Sequence, residues 1–153
     1  MTLLWGKPDI TATVVTPASG GSSNLTIPTP VKNSTRLTTN AGEKHTADLE
    51  GGGYEGVRYD KSSFVLEFSV RFAVGRTMPF EDKSADGVVE GTFKFEVAAE
   101  DAPGLKMTMN EAMVRYEDEL DADDGARRHY YCESIMPVSG NQIDWSHTQT
   151  AGQ

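Results

Sequence analysis

The chain of 153 residues contains 23 acidic and 14 basic residues, which gives it a formal net charge of −9 at neutral pH. A surface of that sign repels phosphate groups and anionic lipid, so the composition argues against nucleic-acid recognition through a basic face. The single cysteine, Cys132, excludes an intrachain disulfide and the zinc sites that are built from cysteines.

The first third of the chain predicts a strand followed by a long irregular segment. Ile10 to Val15 is rich in β-branched residues and lies between two prolines, which is typical of a short strand. The segment from Thr16 to Ser34 contains three prolines and a Gly-Gly pair, and irregular segments of this length are uncommon inside compact domains. It is either a loose surface loop or an arm that contacts a neighbouring subunit. Apolar residues between the prolines favour an arm, and the candidate contact residues are Leu25, Ile27, Pro28, Pro30 and Val31.

Three short extended segments follow. Thr35 to Thr39 and Glu43 to Leu49 predict two strands on either side of a turn at Asn40-Ala41-Gly42, because Asn and Gly both tolerate positive φ. Tyr54 to Tyr59 predicts another strand after a run of three glycines.

Two strongly alternating strands are expected to form the core. In Ser62 to Val74 every second residue is apolar, and Val88 to Ala98 has the same pattern. The first apolar row is Phe64, Leu66, Phe68, Val70 and Phe72, and the second is Val89, Gly91, Phe93, Phe95 and Val97. Such alternation is typical of a half-buried strand, so we expect the two aromatic rows to share one core.

The last third predicts a long hairpin. Leu105 to Leu120 and Ala126 to Val138 flank the acidic loop Asp118 to Gly125. The apolar phase of the first segment changes near Asn110 and Glu111, which indicates a β-bulge, although a short helix over Asn110 to Leu120 would produce the same pattern. Residues 147–153 predict a loose C-terminal tail.

The predicted fold is therefore mainly β, an antiparallel β-sandwich or open barrel with at most one short helix, in a single domain over residues 1–153. No stretch approaches the roughly 20 apolar residues of a membrane-spanning helix, so no membrane partner is expected.

Few residues indicate chemistry. His129 is a candidate general base or anion contact, but a histidine on a solvated sheet face explains it more simply. Asp121-Ala122-Asp123-Asp124-Gly125 resembles part of a calcium loop, yet a hairpin tip accounts for the same residues. Cys132 lies in an apolar strand and is expected to be a buried hydrophobe. We therefore expect no enzyme activity, no catalytic residue, no metal and no cofactor.

Several runs of the sequence resemble one family. PTPVKNSTRLTTNAGEKHTADLEGG, the strand pair after it, DGVVEGTFKFEV and the closing PVSGNQIDW are similar to the small tail-tube proteins encoded by phages and prophages of Bacteroidetes. The likeness extends from Trp5 to Trp145. It implies a β-sandwich-like subunit that assembles into hexameric rings, with the rings stacked into a tube and a long loop reaching a neighbouring subunit.

The resemblance implies a structural virion protein of the phage tail, present in the host cytoplasm during assembly. Its partners would be further copies of itself and other tail proteins, and DNA would pass through the channel without sequence-specific binding. The polar sides of the two alternating strands are candidates for the channel wall: Glu67, Arg71, Glu90, Lys94 and Glu96.

Two other functions stay open. One is a β-sandwich binding module, such as a tail-tip or surface adhesin, that recognises carbohydrate or protein through an aromatic platform of Trp5, Trp145 and Tyr54. The other is an enzyme in which His129 clusters with distant acidic residues.

Overall fold

The chain forms an almost entirely β-stranded structure. The computed structural model describes residues 7–16, 24–81, 84–99, 102–123, 125–137 and 139–147. Within these ranges there is no α-helix, and the strands are β1 Pro8–Thr16, β2 Asn24–Thr26, β3 Arg36–Asn40, β4 Lys44–Asp48, β5 Tyr54–Tyr59, β6 Ser63–Arg71, β7 Ser84–Ala85, β8 Val88–Val89, β9 Thr92–Ala99, β10 Ala102–Asp121, β11 Gly125–Ser134 and β12 Ile143–His147. The expected mainly β fold is confirmed.

Most strands belong to one antiparallel sheet that folds over an apolar core. The main path of this sheet runs β2-β1-β9-β10-β11-β6-β3, while β12 and β8 pair with β10 and β7 pairs with β8. Strands β4 and β5 form a separate two-stranded sheet. Because the path ends at β2 and β3 without joining them, the fold is an open sandwich and not a closed barrel.

Strand β10 connects the two halves of the sandwich, and a β-bulge lets it do so. Its first half pairs with β9 and β12, and its second half pairs with β11 and β8. Phe95 is opposite Met109 but Phe93 is opposite Ala112, so β10 contains one extra residue at Asn110 and Glu111. The bulge is confirmed and the alternative short helix is wrong.

The bulge is held by specific bonds. The hydroxyl of Thr92 donates to Oε2 of the buried Glu111 at 3.0 Å, and the amide of Ile135 donates to the Glu111 carbonyl at 3.0 Å. Because the extra residue shifts the phase, Met109 before it and Val114 after it both face the core.

The expected aromatic rows fill that core. Leu66, Phe68 and Val70 of β6 are buried, as are Phe93 and Phe95 of β9. The rows differ from the prediction at two positions. Phe72 is 40% exposed, and the second row is interrupted at Gly91, whose φ of 94° separates β8 from β9.

The loop between β6 and β7 also enters the core. Met78 and Phe80 are both buried, and the carbonyl of Pro79 accepts a hydrogen bond from the Tyr130 hydroxyl at 2.9 Å. Phe80 has a φ of 63°, a conformation that is unusual for a bulky residue, and its ring packs 4.6 Å from that of Phe93 between centroids. The loop therefore closes one end of the sandwich.

The pairing of β3 and β4 differs from the prediction. Strand β3 pairs with β6, whereas β4 pairs with β5, so Asn40-Ala41-Gly42 is a crossing between two sheets and not a hairpin turn. Gly42 is required for a different reason. A Cβ atom there would lie 2.0 Å from the carbonyl oxygen of Asp60, so only glycine permits this close approach.

The segment from Thr16 to Ser34 is not a free loop where the structure describes it. Its strand β2 pairs with β1, and Ile27, only 4% exposed, donates its amide to the Ile10 carbonyl at 3.2 Å. The prediction that Ile27 contacts a neighbouring subunit is therefore corrected, because Ile27 belongs to the core of its own subunit. Leu25 packs against that core. For the half-buried Pro28, Pro30 and Val31, contact with a neighbour stays a prediction. Residues 17–23 lie outside the described ranges.

The predicted tail also begins later than expected. His147 is the last residue of β12 and is opposite Leu105 of β10, which corrects the boundary at 147. The remaining tail, residues 148–153, lies outside the described ranges.

Candidate functional site on the outer face of β6 and β11

The outer face of the sheet carries a hydrogen-bonded serine, histidine and glutamate. Glu67 and Ser69 lie on β6, between the buried residues of the apolar row, and therefore point away from the core. His129 lies on β11 directly opposite Ser69 in the strand register. Period-two alternation and this register bring the three side chains together.

The geometry defines the direction of the bonds. His129 Nδ1 lies 2.5 Å from Oγ of Ser69, and His129 Nε2 lies 3.1 Å from Oε1 of Glu67. Because a carboxylate can only accept, Nε2–H donates to Glu67. In the neutral imidazole Nδ1 then accepts the Ser69 hydroxyl proton, so the trio forms a continuous chain of hydrogen bonds from serine to carboxylate.

A neighbouring loop covers the serine. The Ser69 amide donates to Oγ of Ser34 at 3.1 Å, the Val31 amide donates to the Ser69 carbonyl at 2.8 Å, and Oγ of Ser34 donates to the Val31 carbonyl at 2.6 Å. Ser69 is consequently only 3% exposed. A catalytic serine must expose its oxygen to substrate, so this arrangement favours a structural link between loop and sheet over a nucleophile.

Aromatic and charged groups surround the trio. The ring of Tyr131 packs edge-on against His129 with 4.6 Å between centroids, and the Arg115 guanidinium lies 4.0 Å above the Tyr131 ring. Burial raises the pKa of Tyr131, and the charges of Glu117 and Glu67 raise it further. Tyr131 therefore stays neutral at physiological pH.

A polar recess of about 290 Å³ opens beside His129. Its wall includes the cationic residues Lys32, Arg36 and Arg127, and Nε of Arg127 donates to Oε2 of Glu119 at 2.9 Å. Cationic and anionic side chains are mixed here. The recess thus has the donors for a small anion, which agrees with the anion-contact interpretation of His129, although the carboxylates oppose an anion.

Four of the five channel candidates lie on two opposite surfaces. Glu67 and Arg71 are on β6, whereas Lys94 and Glu96 are on β9. The apolar sides of these two strands face each other across the core, so their polar sides point in opposite directions. At most one of these two pairs can therefore line a single channel, and the assignment of the five candidates to a channel wall stays a prediction.

The β9 candidates form an ion-pair network of their own. The Lys106 ammonium group lies 3.1 Å from Glu96 Oε2, and that of Lys94 lies 3.8 Å from Oε1 of the same carboxylate. Glu90 is exposed between β8 and β9.

The other candidate sites resolve into structural roles. Asp121 is opposite Gly125 at the tip of the β10–β11 hairpin, and its carboxylate accepts the Asp123 amide at 2.9 Å, so the acidic run is a hairpin tip in its described part. Cys132 is fully buried, and burial raises the pKa of its thiol well above the ordinary value.

The aromatic residues of the alternative binding function lie on different elements. Trp145, 55% exposed on β12, lines a groove of about 760 Å³ together with apolar residues such as Leu66, Val97 and Met107. Tyr54 lies on β5 of the separate two-stranded sheet, and Trp5 lies outside the described ranges.

Comparison with known proteins identifies no relative: no family model matches the chain, and no significant match exists among curated proteins or solved structures. Among the residues that the structure describes, no helix has the length and apolarity to cross a membrane.

Proposed function

We propose that this chain is a structural subunit of a phage tail tube, which works by self-assembly into stacked rings and not by turnover. The observation that carries the proposal is a fold that leaves two sheet edges open and projects an exposed hairpin with apolar side chains. An isolated monomer would keep these features in water, whereas a ring of identical copies would cover them.

The open edges support ring closure. The main path of the sheet ends at β2 on one side and at β3 on the other, and each terminal strand pairs with one neighbour only in the described chain. Unpaired backbone amides and carbonyls at a sheet edge are templates for another strand. Pairing of β3 from one subunit with an edge of the next would extend the sheet around a ring.

The β4–β5 hairpin supports stacking of rings. Every residue of β5 is exposed, and the large hydrophobic residues exposed on the hairpin are Leu49, Tyr54, Val57 and Tyr59. An isolated two-stranded hairpin is marginally stable in water, so a hairpin of this composition is typical of an element that packs against another molecule. We propose this contact in addition to the one predicted for the arm from Thr16 to Ser34.

The net negative charge of the chain supports a channel to which DNA does not bind. Each subunit carries −9 overall, so a ring repels the phosphate backbone at long range. Only one of the two polar surfaces would line the channel, either the face of β6 with Glu67 and Arg71 or the face of β9 with Lys94 and Glu96.

Electron microscopy of the purified full chain tests the proposal. Concentrated protein is expected to form rings or tubes, and the double substitution Val57→Asp and Tyr59→Asp is expected to abolish tubes without changing the circular dichroism spectrum. Glu55→Gln on the same hairpin is the matched control and should assemble normally. A wild-type chain that stays monomeric at high concentration, with no tubes at any salt concentration, would refute the proposal.

The groove beside Trp145 favours one alternative, a carbohydrate-binding module. Its volume of about 760 Å³ falls within the range of ligand sites, and an exposed indole is a common platform for sugar rings. Glycan binding by a strict monomer, lost in Trp145→Ala, would favour this function over the tube.

A further inference from the structure

Three potential metal ligands meet at the root of the β4–β5 hairpin. Glu43 immediately precedes β4, His45 is the second residue of β4, and Asp60 immediately follows β5. Their ligand atoms all lie within 4.8 Å of one another, and Nε2 of His45 lies 3.0 Å from Oδ2 of Asp60. Within the described ranges this is the one group of three such residues that converges in this way.

The strand register explains why these side chains share a face. The Asp60 amide donates to the Glu43 carbonyl at 2.9 Å, which extends the ladder one pair beyond Lys44 and Tyr59. Glu43 and Asp60 are thus cross-strand neighbours, and His45 follows Glu43 by two residues on the same side. The close approach of Gly42 to the Asp60 carbonyl fixes the backbone at this point.

We propose that Glu43, His45 and Asp60 bind a divalent transition-metal ion such as Zn²⁺, which holds the two strands of the hairpin together at its root. This inference does not depend on the proposed tail-tube function. It rests on the convergence of one imidazole and two carboxylates, a donor set that zinc accepts, with water completing the coordination.

Zinc binding requires only a small decrease in the distances between the three ligand atoms. Two donors bound to one zinc ion at about 2.1 Å lie roughly 3.0–3.4 Å apart, depending on geometry. The His45–Asp60 separation of 3.0 Å already meets this condition. Glu43 is exposed at the surface, so its carboxylate can move the remaining distance without displacing other side chains.

The surrounding charges leave the ligand oxygen accessible. Arg58, 75% exposed, lies 3.7 Å from Oδ1 of Asp60, the carboxylate oxygen that does not face His45. Exposed ion pairs of this length are weak, so the guanidinium opposes a cation only slightly. Lys44 lies 5.4 Å from the centre of the Tyr54 ring and is directed toward that ring.

Isothermal titration calorimetry of the full chain with zinc chloride at pH 7.5 tests the site. We expect one Zn²⁺ per chain and at least a tenfold loss of affinity in both His45→Ala and Asp60→Asn. Magnesium chloride should produce no binding, because Mg²⁺ prefers an all-oxygen shell. Saturating zinc should also slow tryptic cleavage after Arg58 in the wild type but not in His45→Ala.

Two matched controls keep the result specific. Glu55→Gln removes a carboxylate from the same hairpin, and His147→Ala removes an exposed histidine from β12, so both variants should bind zinc as the wild type does. No zinc binding by the wild type, wild-type affinity in His45→Ala, or loss of affinity in either control would overturn the proposal.

Discussion

Phe68 of β6 and Phe95 of β9 meet across the core with 6.5 Å between ring centroids, although β10 and β11 separate their strands in the sheet. The contact exists because the sheet folds over at β10. Phe68 also stacks on Tyr130 of the neighbouring strand β11, at 5.1 Å between centroids, so its ring contacts aromatic residues of both halves of the sandwich. The stability of the folded sheet should therefore depend strongly on this one side chain.

Phe68→Ala should lower the free energy of unfolding by about 3–5 kcal/mol, because it removes a fully buried ring and leaves a cavity between the two halves. Urea denaturation followed by circular dichroism measures the loss. Phe72→Ala is the matched control: its ring is 40% exposed at the end of the same apolar row, so it should cost less than about 1.5 kcal/mol. Equal losses in the two variants would contradict the central position of Phe68.

Much of this core could be predicted from the sequence because alternation with a period of two reports burial directly. The rows of β6 and β9 were recognisable, and so was the bulge in β10, since one extra residue shifts the apolar phase visibly. Pairing was harder to predict. The strands β3 and β4 are adjacent in sequence, yet each pairs with another strand, and short polar strands carry little information about their partners.

The site was recognised only in part, for the same reason. His129 was identified, but its link to Glu67 and Ser69 depends on the register between β6 and β11, which alternation within each strand does not determine. The burial of Phe80 was missed as well. The apolar group Met78-Pro79-Phe80 within a polar stretch was the available signal, and its position in the core depends on long-range packing.

Gly42→Ala should destabilise the root of the hairpin by roughly 1–3 kcal/mol, because the new methyl group would lie 2.0 Å from the Asp60 carbonyl oxygen and force the two backbones apart. Gly56→Ala is the matched control, since a Cβ atom there meets no atom within 4 Å. Amide hydrogen exchange of β4 and β5 measures the effect. Unchanged exchange in Gly42→Ala would show that this close approach does not constrain the hairpin.

His129→Ala should lower the free energy of unfolding by roughly 1–3 kcal/mol, because the buried Ser69 hydroxyl would lose its acceptor. Adding Ser69→Ala should restore part of that loss, since the hydroxyl is then no longer present. Thermal denaturation of the two single variants and the double variant measures the coupling free energy between the Ser69 and His129 side chains. Additive losses would show that the serine and the histidine are energetically independent, which would contradict the hydrogen-bonded network.

The stability of the protein should decrease at alkaline pH because of Tyr130. Burial raises the pKa of this phenol above its ordinary value of 10.0, so the folded protein keeps the proton at a pH where the unfolded chain has lost it. The contribution of the protonated Tyr130 phenol to the free energy of unfolding is therefore complete below about pH 10. Above that pH it decreases by up to about 1.4 kcal/mol for each pH unit. Urea denaturation measures how the free energy of unfolding changes with pH. The pH values should be roughly 8, 9.5, 10.5 and 11, which bracket the ordinary pKa of tyrosine.

Tyr130→Phe separates this effect from general alkaline unfolding. The variant should be less stable at neutral pH by about 1 kcal/mol, because the Pro79 carbonyl loses its hydrogen bond. Above pH 10, however, its stability should decrease less steeply than that of the wild type. The remaining slope comes in part from Cys132, whose thiol pKa burial also raises. Tyr59→Phe, at a tyrosine that is 66% exposed, should leave the wild-type slope unchanged. A Tyr130→Phe slope equal to that of the wild type would contradict this assignment.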